Sequence, residues 1–434
     1  MSADKRDSSI DRIEKENERL RAAIEELSVL NDIATAVSST SSLEHIIELI
    51  VHKCIKHLKV EQATITLLNA KDAETGFRTI IRGADTSRQV LPFRLDAELT
   101  GWMLKNQKPL VVNDLASDSR FQCSERVENP IRSILSVPLV LKGRMIGLLT
   151  LFNKRTEGGF TDTDQRLLGI IASQSAQTIE NARLYTEEQN LKLIQEEMRL
   201  AYDIQMNLLP KEPPHVAGYD IAGMSIPAKA IGGDYFDFLL LGEDRLGFCL
   251  GDVSGKGMPA ALLMANLQAT LRGQINICSS PGECLARSNT LLFRSTDVDK
   301  FATLFCGVLD YRNHRLTCSN AGHNYPFLFT EAGEPMRLSV GGIILGCLEE
   351  FSYKEASYPL GPGDILLIFS DGISESTNAD DEEFGEERIA RILAANREAP
   401  AASIIDAIVR EVREFSGDTT QRDDMTLLVI KRTE

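Results

Sequence analysis

The stretch LGFCLGDVSGKGMPAALLMA, residues Leu246–Ala265, runs an apolar segment into a carboxylate, Asp252, then through glycines into a helix-forming run. A plain turn does not require an aspartate against an apolar segment. A phosphate-cradling P-loop needs four residues between its glycine and the Gly-Lys pair, then Ser or Thr. Here Gly251 and Gly255 enclose only three, and Gly257 follows Lys256. The carboxylate is therefore the feature to explain, and its partners lie in the same segment.

From about Val216 to Glu434, apolar strand-like runs alternate, with helical runs near Pro259 and Glu283. Asp234 stands in AIGGDYFDFLLL, Asp371 in DILLIFSDGISES, and Asp423 and Asp424 in QRDDMTLLVI, each at the margin of an apolar run. Strand ends of a sandwich gather at one edge, so distant positions can converge there. Converging carboxylates repel and raise each other's pKa unless cations intervene. Oxygen ligands without histidine or cysteine select Mg²⁺ or Mn²⁺, and two such ions balance four carboxylates. Glycines beside the ligands admit close backbone approach, and the Val253 carbonyl can serve as a further ligand. Asp-Gly also marks ordinary turns, which suffices for any one position but not for the ordered set.

Bulk properties bound the rest. At 434 residues the chain exceeds one core, and two domains joined by helical connectors are expected. The net charge of −16 argues against nucleic acid and against docking on anionic membrane. No apolar run is long enough to span a bilayer, and the first residues lack a signal-peptide core, so a cytoplasmic protein is expected. The eight cysteines are scattered without a CxxC pair, which reads as reduced thiols and excludes a zinc site. Cys249, Cys306 and Cys347 sit in apolar runs and read as packing residues.

The fold class read from these patterns is α+β in four parts. Residues 1–40 form an N-terminal coiled-coil helix, 41–185 a sensor domain, 186–215 a helical linker and hinge, and 216–434 the carboxylate-bearing domain. In the first part Ile10, Asn17, Ile24 and Asn31 take one heptad position and Ile13, Leu20, Leu27 and Ala34 the other, favouring a parallel homodimer. The alternative is a solitary amphipathic helix. In the linker Leu184, Leu191, Met198 and Gln205, with Glu187, Ile194, Ala201 and Leu208, make a second, less regular seam. Pro210 closes it.

Helical LEHIIELIVHKCIKHL precedes strands ATITLLNA, FRTIIRG, SILSVPLVLKG and MIGLLTLFNK, and helical DTDQRLLGIIASQSAQTIENARLY follows. This segment resembles the GAF family, which implies an α/β sensor domain with a pocket for a small molecule. The cyclic-nucleotide-binding members share Asn-Lys…Phe-x3-Asp-Glu; this chain has Asn153, Lys154, Phe160 and Asp164, but Gln165 in the last place. The plain reading is that Asn153 and Lys154 end a strand while Phe160 staples the next helix. Cys123 reads as a free loop thiol rather than a chromophore anchor.

GGDYFDF, LGDVSGKGMPAALLM, FATLFCGVLD, NAGHNYP, LLIFSDGISES and RDDMTLLVI resemble the SpoIIE/RsbU-type branch of the PPM serine/threonine phosphatases. The resemblance implies an αββα-sandwich phosphatase domain in which Asp252 bridges two metals. It implies Asp234 and the Val253 carbonyl on one ion and Asp371 and Asp423 on the other, with Asp424 supporting the turn. A diguanylate cyclase is excluded, because Tyr235 and Phe236 follow Gly-Gly-Asp. A water bridging two ions about 4 Å apart can attack phosphorus in line. Ser254 stands where many eukaryotic relatives place a histidine. Lys229 is placed to meet the phosphate, and His323 is a further candidate substrate contact; a solvated lysine and a loop-organising histidine are the alternatives. The resemblance also implies a substrate, phosphoserine or phosphothreonine on a STAS-domain antagonist of an anti-sigma factor. A ligand-binding scaffold with an inert domain and a hydrolase of small phosphate esters remain open.

Overall fold

The computed structural model describes residues 42–68, 77–83, 97–118, 120, 131–297, 299–330, 333 and 335–434, with isolated positions 16, 17 and 20. It divides into two compact units between Lys192 and Leu193. The N-terminal heptad, apart from Asn17 and Leu20, and Cys123 lie outside the described residues.

In the first unit helix α1 (Leu43–Leu58) starts at Ser42, whose hydroxyl accepts the His45 N–H, and stops at Lys59 in the left-handed region. Its buried residues Ile46, Ile47, Ile50, Val51, Cys54 and Leu58 recur at helical spacing. Strand β1 (Val60–Leu68), strand β2 (Phe77–Gly83), helix α2 (Ala97–Asn106), and strands β3 (Leu110–Val112), β4 (Ile134–Leu141) and β5 (Arg144–Lys154) follow. The strands form one antiparallel sheet in the order β2-β1-β5-β4-β3. Alternation along β5 sorts its side chains: Leu149 and Leu151 face α1 and the long helix α3 (Asp162–Leu208), while Leu148 and Phe152 join Met103 on the other side.

Asn153, Lys154, Phe160 and Asp164 are engaged within the unit. Asn153 is buried at φ 55°, accepts from the Arg132 N–H at 2.8 Å and donates to Glu61 at 2.8 Å. Lys154 pairs with Asp164 at 2.6 Å, and Asn113 grips both backbone groups of buried Phe160. The motif thus fastens β5 to the start of α3, consistent with the plain reading.

In the second unit the strands split between two sheets. One holds β7 (Tyr235–Leu240), β8 (Arg245–Val253), β9 (Ala302–Asp310), β10 (Arg315–Ala321), β13 (Gly341–Gly342) and β14 (Ala356–Pro359). The other holds β6 (Tyr219–Ile226), β11 (Phe327–Phe329), β12 (Met336–Arg337), β15 (Ile365–Phe369) and β16 (Met425–Arg432). Leu366, Ile368, Leu428 and Ile430 share a core with Phe248, Leu304 and Leu316 of the first sheet. Ile365, Leu367, Leu427 and Val429 point the opposite way into a second core. Helices α4 (Met258–Ile275) and α5 (Pro281–Ser295) contribute to the first core. After β15 come a short helix, α6 (Asp371–Ser374), then α7 (Glu386–Ala395) and α8 (Ala401–Ser416), which cover the second sheet. The layers are helix, sheet, sheet, helix.

Only the helices near Pro259 and Glu283 were expected from the pattern here; α7 and α8 correct that reading. Their signal is present in Ile389 and Leu393, then Ile404, Ile405, Ile408, Val409 and Val412, all buried at 3.6-residue spacing. Cys249 and Cys306 are buried, but Cys347 is exposed, so it is not a packing residue. All described cysteines are free.

Candidate metal centre

Antiparallel register brings the predicted carboxylates to one end of the sandwich. Tyr235 pairs with Gly251, which sets Asp234 beside Asp252 at the β7–β8 end. Phe369 pairs with Leu427, so Asp371, just past β15, neighbours Asp423, just before β16. The loop from β6 to β7 passes from one sheet to the other and carries Lys229 and Asp234.

The proximity has electrostatic consequences. Burial, then the charge of Asp252, pushes the Asp234 carboxyl well above the usual range. Asp252 is raised to about 7 by burial, then by Asp371, Asp423 and Asp424. Burial, then Asp423, raises Asp371. These acids sense one another because low-dielectric surroundings make mutual repulsion costly. Among the described residues, no three His, Cys, Asp or Glu side chains already enclose a single metal-binding point. Lys256 pairs with Asp423 at 2.7 Å at the rim of this group of acids.

The donor set fits hard divalent ions. Asp234 is buried and its Oδ2 has no hydrogen-bond partner, an expensive state for a carboxylate oxygen. A Cβ added to Gly233 would stand 3.0 Å from Asp252 Oδ1 and 3.3 Å from the Val253 carbonyl, so glycine keeps open the space that these oxygens share. All donors are oxygens, as Mg²⁺ and Mn²⁺ require.

Asp424 accepts N–H groups from Ala228 at 2.7 Å, Gly233 at 2.5 Å and Asp234 at 3.4 Å. It holds the Asp234 loop rather than projecting as a free ligand. Ser370 does the same for Asp371: its hydroxyl donates to the Asp424 carbonyl and accepts the Thr426 N–H, tying the end of β15 to the start of β16. Gly372 must be glycine, since a Cβ would collide with the Asp424 carbonyl.

Lys229 is exposed and lines a small cleft with Asp252, Lys256, Asp423 and Asp424, a place from which it can meet an anion. Lys256 donates to Asp423 Oδ2 at 2.7 Å and to the Arg422 carbonyl at 2.9 Å. His323 fits the loop-organising alternative. It is only 4% exposed, and burial lowers its pKa to about 4, as for an interior ring. Its Nδ1 lies 3.0 Å from Thr303 Oγ1. Ser370 and the grip of Gln205 on Gly232 are the participants that sequence reasoning missed, whereas the role expected of Asp424, supporting the turn, agrees with its hydrogen bonds. Gln205 donates to the Gly232 carbonyl at 2.7 Å and accepts the Gly232 N–H at 3.1 Å.

Residues 242–433 match the family model described as stage II sporulation protein E (SpoIIE). This chain carries a SpoIIE-family domain. Residues 40–180 match the GAF domain model, so the first unit contains a GAF domain. The phosphoserine phosphatase RsbU of Bacillus subtilis is 27% identical over 256 residues, covering 57% of this chain and 75% of RsbU. Protein IcfG of Synechocystis sp. is 29% identical over 263 residues, covering 54% of this chain. The chain spans only 41% of IcfG's length. The SiaA-PP2C domain of Pseudomonas aeruginosa superposes with a TM-score of 0.50 at 22% identity, covering 56% of this chain and 97% of that one. The SpoIIE-family domain therefore has the PP2C fold.

Proposed function

We propose that the protein is a metal-dependent protein serine/threonine phosphatase regulated through its GAF domain. The observation that carries this reading is the meeting of Asp234, Asp252, Asp371 and Asp423 from both sheets, three of them with raised proton affinity. Asp234, Asp252 and the Val253 carbonyl would hold one ion, and Asp252, Asp371 and Asp423 the other. When bound, a pair of Mn²⁺ or Mg²⁺ ions supplies Lewis acidity and activates water for in-line attack on phosphorus. Lys229 draws the phosphoryl group toward the cleft. Beside Asp423 a groove of about 290 Å³, lined by Gly372, Glu375, Gln421 and Arg422 among others, has room for the polypeptide around the phosphorylated residue. The substrate we assign is phosphoserine or phosphothreonine on a STAS-domain anti-sigma factor antagonist, in keeping with the relative named a phosphoserine phosphatase.

Regulation follows α3. Near its C-terminal end Gln205 grips Gly232, two residues before Asp234. Displacing this helix would move a metal ligand. Gln205 is buried in that grip rather than free for the linker seam, whereas Leu184, Leu191 and Ile194 are exposed and suit a second copy of α3. We assign the protein to a homodimer in the cytoplasm, with a small-molecule ligand in the GAF domain. Among the described residues no helix is long and apolar enough to cross a membrane.

The test is phosphate release from a phosphorylated STAS-domain protein by the full chain with Mn²⁺. Release that ceases in Asp252→Ala and Asp371→Asn supports the reading. Turnover of small phosphate esters with none on the protein points instead to an ester hydrolase. No turnover of either points to an inert signalling scaffold.

A further inference from the structure

The loop after β10 contacts residues that adjoin both halves of the carboxylate cluster, Thr303 beside Asp252 and Ser374 on the helix that Asp371 begins. Asn320 Oδ1 accepts the His323 N–H at 2.7 Å, and Asn320 Nδ2 donates to the His323 carbonyl at 3.0 Å. This closes the loop on itself and fixes the imidazole. Thr303 Oγ1, facing His323 Nδ1 at 3.0 Å, lies across β9–β8 from Asp252, its register partner. The hydroxyl accepts the Asp252 N–H at 3.3 Å and stands 3.4 Å from the Asp252 carbonyl. One residue beyond His323, Asn324 Nδ2 reaches Ser374 Oγ at 3.4 Å, on the short helix that Asp371 begins. The Phe369 carbonyl, two residues before Asp371, also stands near the ring, although His323 Nε2 has no hydrogen-bond partner. A neutral imidazole offers one donor and one acceptor. Thr303 can donate its hydroxyl hydrogen to only one acceptor, and an Nδ1 lone pair directs that hydrogen away from the Asp252 backbone. The hydroxyl oxygen is then free to receive the Asp252 N–H.

We propose that His323 is a positioning residue: through Thr303 it fixes the backbone of Asp252 and Val253, and so sets the oxygens expected to hold the metals. This rests on the metal-dependent reading above. Residues that orient metal ligands typically change metal affinity by 10- to 100-fold when removed. Ligands merely buried near a structural histidine would not show that dependence.

The test is calorimetric titration of the full chain with Mn²⁺, comparing wild type with His323→Leu, Thr303→Val, the double variant and His323→Asn. Each single variant should weaken Mn²⁺ binding about tenfold. The double variant should be no weaker than the worse single, because both remove one linkage. His323→Asn, whose amide oxygen can occupy the place of Nδ1, should bind within about threefold of wild type. Chelator-treated Thr303→Val should still melt in a single cooperative transition, which shows that weaker Mn²⁺ binding is not loss of the fold. Single variants that bind as tightly as wild type, or effects that multiply in the double variant, overturn the inference alone. Wild type that binds no Mn²⁺ overturns the functional reading and this inference with it. If His323→Leu does not fold, Thr303→Val decides: unchanged affinity there overturns the proposal.

Discussion

Asp252 is the residue on which the site turns. Its carboxyl is raised to about 7, above the ordinary aspartate value, by burial and then by its acidic neighbours. A raised carboxylate pKa means that the folded state holds a proton which the unfolded chain has released. Stability from this group is present below about pH 4 and is lost as pH rises through about 7. Chelator-treated protein should therefore melt at higher temperature at about pH 6 than at about pH 8, and Asp252→Asn should flatten that difference. Binding of Mn²⁺ runs the opposite way, because the ion must displace the proton: apparent affinity should fall as pH drops below about 7. Affinity independent of pH across that window would show that Asp252 is not a ligand. Asp252, Asp234, Asp371 and Asp423 were legible in the sequence because each ends or begins a strand-like run. Asp424 was legible as a support for the turn, but its partners were not. Its three backbone hydrogen bonds reach residues nearly two hundred positions away, and no local pattern encodes them.

At the scale of elements, β7 carries a burden that its sequence conceals. Asp237 is wholly buried, held by the Arg272 guanidinium from α4 at 2.7 and 3.1 Å and by the Tyr235 hydroxyl at 2.7 Å. Arg272→Met strands that carboxylate. The loss should be about 3 kcal/mol, near the low end for a broken buried pair because Arg272 is half-exposed, and urea unfolding measures it. Gln205→Leu is the corresponding change in α3. It leaves the Gly232 N–H and carbonyl unsatisfied in a buried place, which costs about 1–3 kcal/mol. Turnover should fall with it, since the next residues carry Asp234; wild-type turnover in Gln205→Leu would disconnect α3 from the site. The strands flanking the site and helices α4 and α5 followed from apolar runs and from helical runs near Pro259 and Glu283. Helices α7 and α8 were not placed from the pattern, although the αββα resemblance implied a helical layer there; their apolar spacing carries the signal. For His323 the motif left two roles open, because burial of a loop histidine depends on the sheets that close over it.

For the whole molecule, length suggested two domains and the resemblance of their motifs gave the GAF and SpoIIE families, whereas the assembly was not legible. The exposed Leu184, Leu191 and Ile194 on α3 form an apolar stripe of the kind that pairs helices. Sedimentation should find a dimer for the full chain and a monomer for Leu191→Glu combined with Ile194→Glu. A monomeric wild type would remove dimerisation from the account and leave the carboxylate chemistry standing. That chemistry is tested most directly by the number of Mn²⁺ ions bound per chain at about pH 8, read by calorimetry on wild type and Asp252→Asn. Two ions for wild type, with binding lost or greatly weakened in the variant, is the predicted result. No binding by wild type, or two ions bound equally well without the Asp252 carboxylate, would contradict it.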